Sequence, residues 1–106
     1  MKDKDKRDFL NTLKVLGDST RLDIVLFLAS EEKCVCEIFK HLHLPQNLIS
    51  HHLKVLKDNE ILINHKEGKW VHYSINKENF DKIQRNLSKF FETKKYYQNV
   101  KSCNEK

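Results

Sequence analysis

The sequence predicts a mainly α-helical domain with one small β-hairpin, and three observations support this fold class. Apolar residues recur at helical spacing over most of the 106 residues. Only two glycines and one proline interrupt the chain, so sharp turns should be few. Two strand-like runs, rich in β-branched and aromatic residues, flank Gly68 in the second half of the chain. A chain of this length predicts a single domain over residues 1–106.

Two helices are expected before the centre of the chain. Residues 1–7 are a charged lead-in that we expect to be frayed. A helix over 8–16 then ends at Gly17, a residue that favours helix termination. Asp18 is a suitable N-cap for a second helix over 19–29, whose almost uniformly apolar surface predicts the buried centre of the fold.

Two short helices around a tight turn are expected over residues 35–59. The first spans 35–42, and His43-Leu44-Pro45 forms the turn. Pro45 can start the second helix, which continues from residue 46 to about 59, because the first helical residue needs no N–H donor. Its apolar side is predicted to consist of Ile49, Leu53 and Leu56. A helix, a brief turn and a helix with a polar outer face predict a helix-turn-helix.

A β-hairpin over residues 61–75 follows, with its turn at Gly68 and with Trp70 and Tyr73 expected in its core. A hairpin with a basic tip after a helix-turn-helix is typical of a wing, so the predicted fold is a winged helix-turn-helix.

A last helix is expected over 77–97, and residues 98–106 form a flexible polar tail. The helices over 8–16 and 77–97 carry apolar stripes that the central unit is too small to cover. We therefore expect these two helices to form the interface of a homodimer with a two-fold axis.

The polar face of the second central helix and the tip of the hairpin suit DNA. Amide, hydroxyl and imidazole groups can reach base edges in the major groove, and lysines suit phosphates. The net charge of +5 and the pI of about 9.1 also favour a polyanionic partner. The predicted DNA-binding residues are Gln46, Asn47, Leu48, Ser50, His51, Lys54, Lys57, Lys66 and Lys69. We expect palindromic double-stranded operator DNA with half-sites about 10 bp apart, or a multiple of that.

Two further residues near these elements are expected to have other roles. His52 falls on the apolar side of its helix and is predicted to be a hydrogen-bonded structural histidine. Arg21 suits either a phosphate contact or an ion pair near the start of its helix.

Cys34 and Cys36 stand at the start of a predicted helix. The helix dipole and free N–H groups there favour thiolate and should lower the pKa of the thiols. Two nearby thiolates can bind a thiophilic ion. Side chains two residues apart diverge in a regular helix, so joint ligation should distort its first turn. Cys103 is a candidate third ligand, an idle thiol, or the partner of Cys36 in a disulfide or polysulfide bridge.

Several function classes are disfavoured by the sequence. An odd number of cysteines argues against a disulfide scaffold, and no apolar run is long enough for a membrane span or a signal peptide. We expect a cytoplasmic protein with no membrane partner. No catalytic signature is present, so an enzyme is not expected.

Four segments resemble the ArsR/SmtB family of metal-responsive winged-helix repressors, and its arsenical-resistance branch in particular. They are Leu16–Leu22, Cys34–Glu37, Ile49–Leu56 and Gly68–Tyr73. The resemblance implies a dimer that binds its operator when metal-free, without an obligatory cofactor, and that an effector releases.

In the arsenical branch the implied effector is As(III) or Sb(III), bound by a CxC pair that corresponds here to Cys34 and Cys36; another thiophilic metal remains open. Phe39 stands where arsenical repressors often carry a third cysteine. No histidine follows His72, so the carboxylate and histidine site that some family members build on the last helix is not expected.

Two other functions stay open. The same fold could sense oxidants or reactive sulfur through its thiols. More distantly, the domain could bind a protein and no operator, although the polar helix face and the basic hairpin tip disfavour this.

Overall fold

The computed structural model describes residues 2–92, and the side chains of residues 2–89. Within this range the chain forms five helices and three strands. In chain order they are α1 (Asp3–Leu16), α2 (Ser19–Phe27), β1 (Lys33–Cys34), α3 (Val35–Leu42), α4 (Gln46–Asp58), β2 (Leu62–Glu67), β3 (Trp70–Ile75) and α5 (Lys77–Glu92). The prediction of a mainly α-helical winged fold is confirmed.

The first helix is longer than the sequence predicted. α1 begins at Asp3, and Asp3 and Asp5 lie in its first turn, where free N–H groups and the helix dipole stabilise negative charge. Lys82 and Lys89 of α5 lie 3.3 and 3.7 Å from the carboxylates of Asp8 and Asp5. These contacts hold α1 beside α5, and the prediction that residues 1–7 are frayed is wrong for the segment from Asp3 onward.

The second helix is buried on one face only. α2 ends at Phe27, earlier than predicted, and buries Ile24 and Val25. Leu22 and Leu26 are 43% and 63% exposed. The expectation that this helix is buried all round is therefore wrong, since these two leucines lie on its outer side.

The wing is a three-stranded antiparallel sheet in the order β1-β3-β2. Strand β1 was not predicted, because residues 30–33 looked like a polar break. Lys33 pairs with Tyr73 and Cys34 with His72. Gly68 has a φ of 61° in the turn between β2 and β3, as predicted.

A single hydrophobic cluster lies between the helices and the wing. Each large aliphatic side chain buried in it contributes about 1.5–3 kcal/mol to stability. Its buried members are Val15, Ile24, Val25, Leu28, Ile38, Ile49, Leu53, Leu56, Ile61 and Leu62. This cluster holds α4 by one face and leaves the other face free.

No helix among the described residues is long and apolar enough to cross a bilayer.

Candidate DNA interface and thiol site

α4 presents the face that the sequence predicted. Ile49, Leu53 and Leu56 are each no more than 1% exposed. The polar residues predicted to bind DNA are all exposed: Gln46, Asn47, Ser50, His51, Lys54 and Lys57. Leu48, which is 40% exposed, is an apolar side chain on the same surface.

Two local features fix the start of α4. His43 adopts a left-handed conformation with a φ of 53°, which turns the chain after α3. α4 starts at Gln46, as predicted, and Pro45 is its N-cap, so the proline precedes the first helical residue and is not itself that residue. The α3–turn–α4 unit is the predicted helix-turn-helix.

His52 belongs to the fold and not to the polar face. It is 7% exposed, and its Nδ1 lies 3.2 Å from Nη1 of Arg21. Nε of Arg21 donates to the carbonyl oxygen of Val15 at 2.6 Å. Two nitrogens of Arg21 thus join the end of α1 to α4.

Asp18 caps α2 as predicted, since its carboxylate accepts from the backbone N–H of Arg21 at 3.1 Å. That hydrogen bond lowers the pKa of Asp18, and the nearby charges of His52 and Arg21 act in the same direction.

The wing tip is basic and carries an exposed aromatic ring. Lys66 and Lys69 are both exposed. The Lys69 ammonium lies 5.4 Å from the centroid of the Trp70 ring, which is a cation–π distance. Trp70 is 49% exposed, so its predicted place in the wing core is wrong. Tyr73 is half-buried and packs against the core, as predicted.

A pair of histidines lies on the wing, and sequence reasoning did not single it out. The rings of His65 and His72 stack with centroids 5.2 Å apart. Glu32 lies 3.6 Å from His65, and Glu67 lies 3.5 Å from His72. The hairpin register about Gly68 places the two histidines opposite each other, and that register was the available signal.

Cys34 and Cys36 are brought together where β1 meets α3. Cys34 is the N-cap of α3, with an extended backbone, and forms a reciprocal capping box with Glu37. The Glu37 carboxylate accepts from the backbone N–H of Cys34 at 3.0 Å. The two sulfurs lie 3.0 Å apart, with the Cys36 thiol donating to Cys34 Sγ. The expectation that these side chains diverge is wrong, because Cys34 lies outside the helical backbone.

The two thiols differ in exposure. Cys34 is 7% exposed, whereas Cys36 is half-buried and reachable from solvent. The hydrogen bond to Cys34, partial burial and the proximity of the Cys34 charge all raise the pKa of Cys36. The predicted lowering of the pKa at the helix start is therefore wrong for Cys36.

Within residues 2–92, no group of three or more His, Cys, Asp and Glu side chains is placed to hold a metal ion. The predicted third sulfur, Cys103, lies outside the described residues. The described part of the site thus offers a pair of sulfur donors.

The chain is similar in sequence to known bacterial regulatory proteins. The family model described as "Bacterial regulatory protein, arsR family" matches residues 18–63. The arsenical resistance operon repressor of Staphylococcus xylosus is 38% identical over 81 residues, which cover 76% of this chain and 78% of that protein. The chain belongs to the ArsR family.

Further comparisons agree with this ArsR assignment. The arsenical resistance operon repressor of Staphylococcus aureus is 37% identical over 82 residues, covering 77% of this chain and 79% of that protein. An ArsR-like transcriptional regulator from Rhodococcus shares the fold with a TM-score of 0.79 at 19% identity, over 92% of this chain and 93% of that chain.

The ArsR-family chain is therefore a transcriptional repressor of the ArsR type and not an enzyme. ArsR-family helix-turn-helix regulators bind operator DNA.

Proposed function

We propose that this protein is a dimeric repressor that leaves its operator when As(III) or Sb(III) binds Cys34 and Cys36. The observation that carries this proposal is the 3.0 Å contact between the two sulfurs at the junction of β1 and α3. The relatives named as arsenical resistance operon repressors support the choice of effector.

The sulfur pair needs little rearrangement to chelate. Two sulfurs bound to one ion at about 2.3 Å with tetrahedral angles lie about 3.8 Å apart. The pair therefore opens by about 1 Å or less on binding. The half-buried Cys36 thiol meets the effector first, and the buried Cys34 thiol follows.

The reaction does not require preformed thiolates, which agrees with the raised pKa of Cys36. Arsenous acid exchanges one hydroxide for each cysteine sulfur, and each thiol proton leaves with that hydroxide as water. Two As–S bonds form, two As–O bonds break, and no electrons are transferred. Cys103 is a tentative donor for the third position, and otherwise that position keeps its hydroxide.

Opening the sulfur pair acts on two DNA-binding elements. It disturbs the capping box of Cys34 and Glu37, and thereby the first turn of α3 in the helix-turn-helix. It also pulls on β1, which pairs with β3 of the wing. An effector that weakens DNA binding must itself bind less well to the DNA complex, with a typical coupling of about 1–3 kcal/mol.

We assign DNA binding to α4 and the wing. Gln46, Asn47, Ser50 and His51 read base edges, and Leu48 contacts a thymine methyl group. Lys54, Lys57, Lys66 and Lys69 contact phosphates. In support, all nine side chains are exposed. Lys54 must exchange its 3.1 Å ion pair with Asp58 for a phosphate, a small loss for an exposed pair.

We assign dimerisation to α1 and α5. Leu10 and Leu13 of α1 and Leu87 of α5 are 47%, 51% and 40% exposed. Pairing across a two-fold axis covers these leucines and presents two α4 helices to a palindrome.

Thiol oxidation is a second candidate signal, because the same 3.0 Å contact also favours a Cys34–Cys36 disulfide. A hydroperoxide accepts two electrons and two protons from the thiols, giving one S–S bond, one alcohol and one water. Oxidised protein then loses DNA affinity without any metal, and dithiothreitol restores it.

A titration of the protein–operator complex separates these functions. Arsenite, antimonite and cadmium are added under reducing conditions, polysulfide and a peroxide are added without metal or reductant, and DNA release is followed by fluorescence anisotropy. We expect arsenite and antimonite to release the DNA. Release by polysulfide or peroxide alone would favour the thiol-redox function, and failure of the protein to bind any operator would overturn both.

A further inference from the structure

We infer that Asn11 and Asn79 are positioning residues that set the angle of α4 relative to the two dimerisation helices. The inference rests on the proposed dimeric DNA binding and adds how the spacing of the two half-sites is chosen. It concerns the C-terminal end of α4, away from the thiol site.

Asn11 links α1 to the end of α4. Its Nδ2 donates to Oδ1 of Asn59 at 2.9 Å. Asn59 is the C-cap of α4, and its own Nδ2 donates to the carbonyl oxygen of Val55 at 2.8 Å. One amide side chain thus closes the last turn of α4 and receives the hydrogen bond from α1.

Asn79 links α5 to the same end. Its Nδ2 donates to the carbonyl oxygen of Glu60 at 2.8 Å. Glu60 has a φ of 61°, a left-handed conformation that is uncommon for residues other than glycine. The backbone N–H of Asn79 donates to Oδ1 of Asn76, so the start of α5 is itself fixed.

These hydrogen bonds join the three helices outside the hydrophobic cluster that they share. A cavity of about 240 Å³ lies between α1, the end of α4 and α5. The amide side chains that line it are those of Asn11, Asn59, Asn79 and Asn86. The hydrogen bonds to Asn59 and Glu60 lie at this cavity, where the helices are not in direct contact, and they restrict the tilt of α4 against α1 and α5.

The angle of α4 matters in a two-fold dimer. The distance between the two recognition helices must match the half-site spacing of about one helical turn of DNA or a multiple. A change of tilt in each protomer is doubled by the symmetry. Loss of these two hydrogen bonds should therefore weaken the preference for one half-site spacing and leave the affinity for non-specific DNA unchanged.

The variants Asn11→Ala and Asn79→Ala, and the double variant, test this inference. Asn11 is exposed, so its removal leaves no buried polar group unpaired and the protein still folds. Gln84→Ala is the control, because Gln84 is an exposed amide of α5 that does not line the cavity. An operator is selected from random duplexes with the wild type, and its half-sites are then moved apart or together in steps of 1 bp.

We expect the wild type and Gln84→Ala to prefer one spacing. In the double variant, the ratio of the affinity for the preferred spacing to the affinity for the other spacings should fall about fivefold. Its dimer dissociation constant, its thermal stability and its affinity for non-specific DNA should match those of the wild type.

Two results would overturn the inference. Unchanged spacing preference in all three variants would show that packing alone sets the angle while the proposed function stands. Absence of dimerisation or of operator binding in the wild type would overturn the proposed function, and this inference with it.

Discussion

Cys34 lies directly opposite His72 in the antiparallel pairing of β1 with β3. The residue that begins the helix-turn-helix is therefore also part of the sheet that forms the wing. In addition, its sulfur contacts that of Cys36 at 3.0 Å. Cys34 thus connects α3 of the helix-turn-helix to β3 of the wing through its own backbone.

The first prediction concerns the thiols as effector ligands. Cys34→Ser and Cys36→Ser should keep operator affinity, because serine is close to cysteine in size and its hydroxyl can take the place of the Cys34 thiol at the N-cap of α3. Arsenite should no longer release the DNA. Operator binding at increasing arsenite concentration measures this, and Cys103→Ser, measured alongside, reports on the tentative third donor. A full arsenite response in both variants would refute the assignment of the site.

The second prediction concerns the wing as a phosphate contact. Lys66→Ala should weaken binding to all DNA sequences and reduce the slope of log affinity against log salt by about one. Lys14→Ala, on α1, removes the same charge at a position outside the proposed DNA interface and should leave the slope unchanged. An unaltered slope for Lys66→Ala would argue against a wing that contacts DNA.

The third prediction uses the only tryptophan of the chain. Trp70 is 49% exposed beside Lys69 at the wing tip, so operator binding should change its emission intensity and wavelength. A fluorescence titration with operator duplex measures this, and Trp70→Phe supplies the background. No change in emission at saturating operator would place the wing tip away from DNA.

The fourth prediction concerns the pH dependence of Cys36. Its raised pKa means that the folded protein favours the protonated thiol, so this contribution to stability is present at neutral pH and lost as the pH rises through the alkaline range. Alkylation of Cys36 by iodoacetamide should rise with a midpoint above that of a free thiol. Cys34→Ala removes the hydrogen-bond acceptor and the nearby charge, so the midpoint should fall. An equal midpoint in both proteins would contradict this cause.

The fifth prediction compares two leucines of α4. Leu53 is 1% exposed, and Leu53→Ala should lower the free energy of unfolding by about 2–5 kcal/mol. Leu48 is 40% exposed, and Leu48→Ala should change stability by about 0.5 kcal/mol or less while weakening operators with a thymine at the contacted position. Urea unfolding and operator binding separate the two effects. Equal stability losses would contradict the assigned faces of α4.

The sequence was a good guide to elements with strong periodicity. The bounds of α3 and the buried side of α4 follow from apolar spacing alone, and Asp18 and Gly68 mark a helix start and a hairpin turn. These features depend on local chemistry, which a sequence displays directly.

Features that depend on tertiary contacts were missed. Strand β1 is two residues long and exists because β3 offers an edge, so no local pattern announces it. The close sulfur pair follows from the extended backbone of Cys34 at the N-cap, which breaks the helical spacing assumed for a CxC motif. Trp70 was assigned to the wing core by residue type, but its ring lies at the exposed tip.

The left-handed residues His43 and Glu60 stand on either side of α4, with φ angles of 53° and 61°. This conformation costs a residue with a Cβ atom about 1–2 kcal/mol, and histidine is among the residue types that adopt it more often than most. Both positions are therefore open to engineering. His43→Gly or Glu60→Gly would relieve the backbone strain there and give α4 more freedom to change its angle relative to the neighbouring helices. The stability of the protein and the mobility of α4 can thus be altered at these two positions without changing the exposed polar face of α4 or the two cysteines.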